Sequence, residues 1–186
     1  VPLETRFRYQ TAFYQLVLDA VLSGAAAAAV RDVTAQVRKR TRGYSHGSGT
    51  VVRQDPQVLQ VVGLARAFAF AARAAALEAA RAAERAYLSA QSGDKATDDS
   101  ANVEAELASA AAQVAAAELA LRATSDLFNA LGASAADTGL ALDRHWRNAR
   151  TAASHNPLIY KERILGDHLV NGTEPVYVWQ IGQIGG

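Results

Sequence analysis

Apolar positions recur at spacings of three and four through several long stretches, with glycine, proline and polar clusters between them. From about Arg6 to Arg42, Phe7, Phe13, Leu16, Val17, Ala20 and Val21 follow the helical period with no proline among them. Ser23, Gly24 and five alanines keep that helix slim, so a neighbour can approach closely. The basic turn Arg38 to Arg42 and then Gly43 predict its end, with cations where the helix dipole favours them. A glycine-rich loop, GYSHGSGTVVRQD, leads to Asp55 and Pro56, the N-cap and first residue of a second helix running to about Ala90. Val58, Val61, Val62, Ala65, Phe68, Ala69 and Ala72 form its apolar face.

Gln91 to Ser100 reads as a polar connection whose last acidic and serine residues cap a third helix. Val103, Leu107, Ala110, Val114, Ala117, Leu121, Thr124, Phe128 and Leu131 then alternate by four and three, the pattern of a bundle seam. Gly132 ends that helix, and ASAADTG links it to a motif helix over residues 140–155, stopped by Pro157. A shorter helix through Leu165, a turn at Asn171, Gly172 and Thr173, and an irregular tail with Trp179 complete the chain. The expectation is an all-α, up-and-down helical bundle over residues 1–169, followed by an irregular tail at 170–186.

Composition narrows what such a bundle can do. A chain of 186 residues holds one domain with a core, and its apolar half owes much to alanine. A net charge of +1 gives no electrostatic case for nucleic acid or an anionic membrane surface. The absence of cysteine rules out disulfides, zinc ribbons and thiol catalysis in this chain, and is compatible with a reducing cytoplasm. VPLETRFRYQ has no signal pattern, and Arg66, Arg73 and Glu78 interrupt the apolar runs, so no membrane span is expected. No metal site is expected either, because no Glu-x-x-His pair suits a di-iron bundle. The chain also contains no methionine, so Val1 is not expected to be where the gene product begins.

The densest chemistry lies in Arg144-His145-Trp146-Arg147-Asn148-Ala149-Arg150-Thr151, closed by Ser154-His155-Asn156-Pro157. Arg144, Arg147 and Arg150 follow one stripe, with Asn148 and Thr151 beside it. Such forks suit phosphate or carboxylate. The alternative is anchoring: Asp143 and Arg147 form an ordinary i,i+4 pair, and such residues pin a helix to its own bundle or to a neighbouring subunit. Trp146 and His145 read as packing. His155 stands at a helix end, where an imidazole can point into a cleft and take part in proton transfer. Its alternative is a capping or surface histidine.

This segment resembles the closing segment of flavin-dependent monooxygenases of the acyl-CoA dehydrogenase fold, of the two-component dibenzothiophene and nitrososynthase types. Their mark is R-[HF]-W-R-N-A-R-T followed by H-[ND]-P. The resemblance implies the fold's C-terminal bundle, with the N-terminal helical and β domains absent from this chain. It implies a homotetramer that takes reduced FMN from a flavin reductase, adds O2 at the flavin C4a carbon to give a (hydro)peroxide, and oxygenates a small organic substrate. His155 would lie against the flavin; the second histidine of many relatives is Ala152 here. Arg42, ahead of Arg40, would reach the flavin phosphate of an adjacent subunit, with Ser134 and Asn148 as further cofactor contacts. The Gln-Phe-Gly element of FAD-dependent relatives is missing after Arg42, which favours FMN over FAD, and no Glu-Gly-Thr element supplies a dehydrogenase base. The rival readings are an FAD-dependent acyl-CoA dehydrogenase or oxidase, and a non-catalytic assembly domain.

Overall fold

A computed structural model describes residues 8–49 and 51–177, so Phe7 and Trp179 fall outside the described residues. The described chain forms helices α1 (Gln10–Lys39), α2 (Pro56–Ser89), α3 (Lys95–Asp126), α4 (Phe128–Leu131), α5 (Arg144–His155) and α6 (Leu158–Asn171), with 3-10 turns at Val52–Gln54 and Ala133–Ala135. No strand occurs among the described residues, in line with the all-α expectation.

The three long helices run up, down and up. Arg85 of α2 pairs with Glu104 of α3, and Ser89 with Asp98, which sets those two antiparallel. Val33 and Val37 of α1 share a cluster with Val58, Val61 and Val62 of α2, while Ala12 meets Ala86 at the other end. The middle cluster is almost all alanine: Ala26, Ala65, Ala69, Ala72, Ala116, Ala117, Ala120 and Ala123, with Leu22. Alanine is the strongest helix former and lets helix axes approach closely. Each methyl buries little, so the bundle gains its stability from the length of the contact. Helix α5 adds Ala149, Ala152 and Ala153 to the same cluster.

Several expectations are corrected. The bulky stripe of α1 faces outward: Phe13, Val17 and Val21 are exposed, while Ala12, Gln15, Asp19, Leu22 and Ala26 are buried. On α3 the predicted seam residues Ala110, Ala117 and Thr124 are buried, but Val103, Leu107, Val114 and Leu121 are only half-buried, and the sealed face also carries Asn102, Ala105, Glu106, Ser109, Gln113 and Ala116. Small side chains win the helix-to-helix contact and bulky ones are displaced to its flanks. Helix α3 starts at Lys95, capped by Asp94, whose carboxylate accepts from the Ala96 amide and the Thr97 hydroxyl. Asp98 and Asp99, expected as caps, instead hold Arg8 at 2.6 and 2.7 Å.

Helix α1 stops at Lys39 because Arg40 turns extended and its guanidinium donates to the Leu131 carbonyl. The motif helix begins at Arg144, not Leu140. Asp137 accepts from the Gly139 and Leu140 amides, and Ala141 takes a positive φ of 46°, which breaks helical continuity before that point. Helix α6 continues past Leu165 to Asn171 and ends on left-handed Gly172, whose amide bonds back to His168. Asp55 caps α2 as expected, accepting from the Gln57 and Val58 amides. By length and composition alone, α1 and α2 are each long and apolar enough to cross a membrane, contrary to the sequence expectation. Alanine produces that apolarity, and α1 packs its polar Gln15 and Asp19 inside the bundle.

Candidate functional site

The predicted site residues fall at two ends of the bundle. At one end, where α1 stops and α4 turns back, a cavity of about 540 Å3 is lined by Arg40, Arg42, Tyr44, Leu131, Ser134 and Leu140. Arg40 is engaged: its Nη1 donates to the Leu131 carbonyl and its Nε to the Arg42 carbonyl at 2.9 Å. It therefore ties the end of α1 to the end of α4. The Arg42 guanidinium is exposed and carries no hydrogen bond or ion pair among the described residues. The Ser134 hydroxyl is also exposed, with only a long 3.5 Å approach to the Leu131 carbonyl. Gly132 permits the tight turn between them through its φ of 70°, with the Tyr44 hydroxyl against it.

His155 lies at the other end. It is exposed at the C-terminus of α5, and its Nδ1 stands 3.3 Å from Asn156 Oδ1. Asn156 is extended, as a residue before proline must be, and that opens the break between α5 and α6. Asn156 Nδ2 donates to Gln15 Oε1 at 2.7 Å, which places His155 near the start of α1. The 25 residue steps from Gln15 to Arg40, along α1 and its C-cap, then separate the two ends by roughly 37 Å at the α-helical rise. Asn148 is on neither: it is exposed on the outer face of α5, away from the residues lining the cavity.

The arginine stripe divides by position. Arg144 and His145 both donate to Oδ2 of Asp32 on α1, His145 from its Nε2 at 2.9 Å. A carboxylate only accepts, so Nε2 of the buried His145 carries the hydrogen. Partial burial alone would raise the Asp32 carboxyl; the bonds and charges of His145 and Arg144 overcome it and hold that group below the ordinary carboxylate range. Arg147 pairs with Asp143 at 3.0 Å, as the spacing suggested. Arg150 stays exposed. This half of the motif anchors α5 to α1.

Beneath the Asn156 break lies a polar pocket that the sequence reading missed. Gln15, Asp19, Glu106, Gln113 and Lys161 are all at most 5% exposed. Burial pushes the Asp19 carboxyl up to about 7 against the opposing bond from Gln15 and charge of Lys161. It likewise pushes Glu106 up to about 7 against Lys161, and it lowers Lys161 against both acids. The signal was present as polar residues at i,i+4 (Gln15, Asp19) and i,i+7 (Glu106, Gln113), spacings that share a helix face. Among the described residues no group of three or more acidic or histidine side chains gathers to hold a metal ion.

The acyl-CoA dehydrogenase C-terminal domain matches residues 16–158, from the start of α1 to the start of α6. The chain belongs to that family. This acyl-CoA dehydrogenase-type domain is 33% identical, over 94% of its length, to a probable FMNH2-dependent monooxygenase of Pseudomonas putida, of which it covers 43%. Its fold superposes on methanesulfinate monooxygenase from Pseudomonas fluorescens with a TM-score of 0.82 at 31% identity, covering 95% of this chain and 45% of that one. The complex of TdsC from Paenibacillus sp. A11-2 with FMN and indole gives 0.71 at 27% identity, covering 90% of this chain and 41% of that one. The domain thus spans less than half the length of these relatives.

Proposed function

We propose that this domain is the C-terminal helical part of a two-component flavin-dependent monooxygenase. It uses reduced FMN and O2 to oxygenate a small organic substrate, with a separate flavin reductase supplying the FMN. The observation that carries this reading is the convergence of Arg40, Arg42 and Ser134 on one cavity, with His155 at the far end of the same bundle. The two lie too far apart to serve one flavin within a single chain. Their separation supports a pocket built by two copies, one offering the phosphate corner and the other the imidazole, within a homotetramer. The outward apolar stripe of α1 and exposed Leu59, Phe70 and Leu77 of α2 support coverage by other copies or by the rest of the protein. Localisation in the cytoplasm fits a chain without cysteine.

The residues fit a single phosphate. The uncommitted guanidinium of Arg42 can fork onto it, the Ser134 hydroxyl can donate to it, and Arg40 keeps the corner rigid by holding Leu131. Reduced FMN, when bound, supplies the electrons that activate O2. His155 is the proton-carrying group at the other wall, with Nδ1 toward Asn156 and Nε2 left to face a ligand. Asn148, on the outer face of α5, belongs to the surface another copy would cover.

The complete protein, given reduced FMN and O2 with indole as probe, tests this. Arg42→Ala is expected to weaken FMN binding about tenfold or more, the worth of a charge-assisted phosphate contact. His155→Ala should leave FMN affinity nearly unchanged and lower product formation about a hundredfold. Unchanged turnover in His155→Ala would defeat the proposed role.

A further inference from the structure

A chain of amides connects the buried acid Asp19 to the ring of His155, and its bonds run in one sense from the acid to the ring. Oδ1 of Asp19 accepts from Gln15 Nε2 at 3.1 Å. Gln15 must then turn its carbonyl the other way, where Oε1 accepts from Asn156 Nδ2 at 2.7 Å. Asn156 in turn has only its carbonyl left for His155, and Oδ1 stands 3.3 Å from the ring Nδ1. An amide oxygen cannot donate, so the hydrogen on that contact sits on Nδ1. From the opposite side, Gln113 Nε2 donates to the Asn156 backbone carbonyl at 2.7 Å, pinning the same residue from α3. Gln15 and Gln113 are 1% and 0% exposed, too deep to serve as ordinary surface polar residues. Burying an amide costs free energy unless it is hydrogen-bonded, and both glutamines donate from Nε2 to a partner here.

We propose that Gln15, Gln113 and Asn156 are positioning residues that hold His155 in the Nδ1–H tautomer, leaving Nε2 as the atom presented to the flavin pocket. Gln15 sets the orientation of the Asn156 carboxamide, and Gln113 sets the height of its backbone. Asp19 accepts at the inner end of the chain, and the charge of Lys161 acts on both Asp19 and the buried Glu106 beside it. The device gives the two buried glutamines on the sealed faces of α1 and α3 a use at this level of the bundle. This inference rests on the reading that His155 faces the flavin. Its test does not require that reading to hold.

The complete protein labelled with 15N-histidine gives the tautomer directly, the His155 signals being assigned by their loss in His155→Ala. The wild type is expected to show a protonated Nδ1 and an unprotonated Nε2 once the ring is neutral. Gln15→Met, which keeps the volume and removes the carbonyl acceptor, should release Asn156 and move the ring toward Nε2–H, the form free imidazoles prefer. Gln113→Met should raise amide hydrogen exchange at residues 154–158 about tenfold, the worth of one buried hydrogen bond, with exchange in the α2 to α3 hairpin unchanged. In both variants the indole-oxygenation kcat should fall about tenfold or more with KM for FMN little altered, since misplacement acts on the reacting geometry. Wild-type protein with Nε2–H, or a tautomer unmoved in Gln15→Met, overturns the proposal. Inactivity of His155→Ala bears on the flavin reading alone, so the two can fail separately.

Discussion

Replacing Asp32 by asparagine should destabilise the protein by about 2 kcal/mol, and the structure says where that loss comes from. Asp32 Oδ2 accepts from both Arg144 and His145, but the two donors stand in different positions. Arg144 is 41% exposed at the side chain and has two fallback acceptors, the Leu140 and Ala141 carbonyls at 3.1 and 2.8 Å. Its share is screened by water and amounts to less than about 1 kcal/mol. The His145 side chain is 6% exposed, and its Nε2 has Asp32 as acceptor. Weakening that charge-assisted bond accounts for most of the 2 kcal/mol. Urea denaturation of the complete protein, followed by helical circular dichroism, measures this. Arg144→Gln should cost under about 1 kcal/mol alone and nothing further in the Asp32→Asn background. Because the folded-state carboxyl of Asp32 lies below its unfolded value, its stabilisation is present above about pH 4. It is lost as pH falls through the folded value. A larger loss from Arg144→Gln than from Asp32→Asn would refute this division of the bridge.

Two further outcomes follow from the core and the phosphate corner. Asp19 and Glu106 are pushed up to about 7 in the folded protein, so the native state holds a proton that the unfolded chain has released. Stability should therefore fall as pH rises from about 5 through 7, by roughly 2 kcal/mol for each of the two groups, and the fall should be roughly halved in Glu106→Gln. A flat or rising stability over that range would contradict it. Gly132 has φ 70° and ψ −175°, a region that side chains avoid, and an added Cβ would also meet the Tyr44 hydroxyl at 2.5 Å. Gly132→Ala should cost about 2 kcal/mol, chiefly from the backbone, so Tyr44→Ala in the same chain should not restore it.

The sequence alone placed the long helices and several of the breakers between them, while other helix ends shifted in the structure. The caps at Asp55 and Pro56, the glycine at 132 and the proline at 157 are local features, and local rules suffice to read them. It also carried the arginine, tryptophan and histidine motif through which the family is legible. On α2 the face read from the sequence is the one that packs, but on α1 only the tertiary structure decided which face is buried. On α1 the alanine face with Gln15 and Asp19 won over the larger Phe13, Val17 and Val21, because three long helices in close contact leave room for methyl groups and exclude rings. Periodicity fixes that a face exists, but the neighbour's shape selects it. The same holds for the site: Arg40 and Ser134 are 94 positions apart in the chain, Gln15 and Asn156 farther still, and closure of the bundle is what brings each pair together.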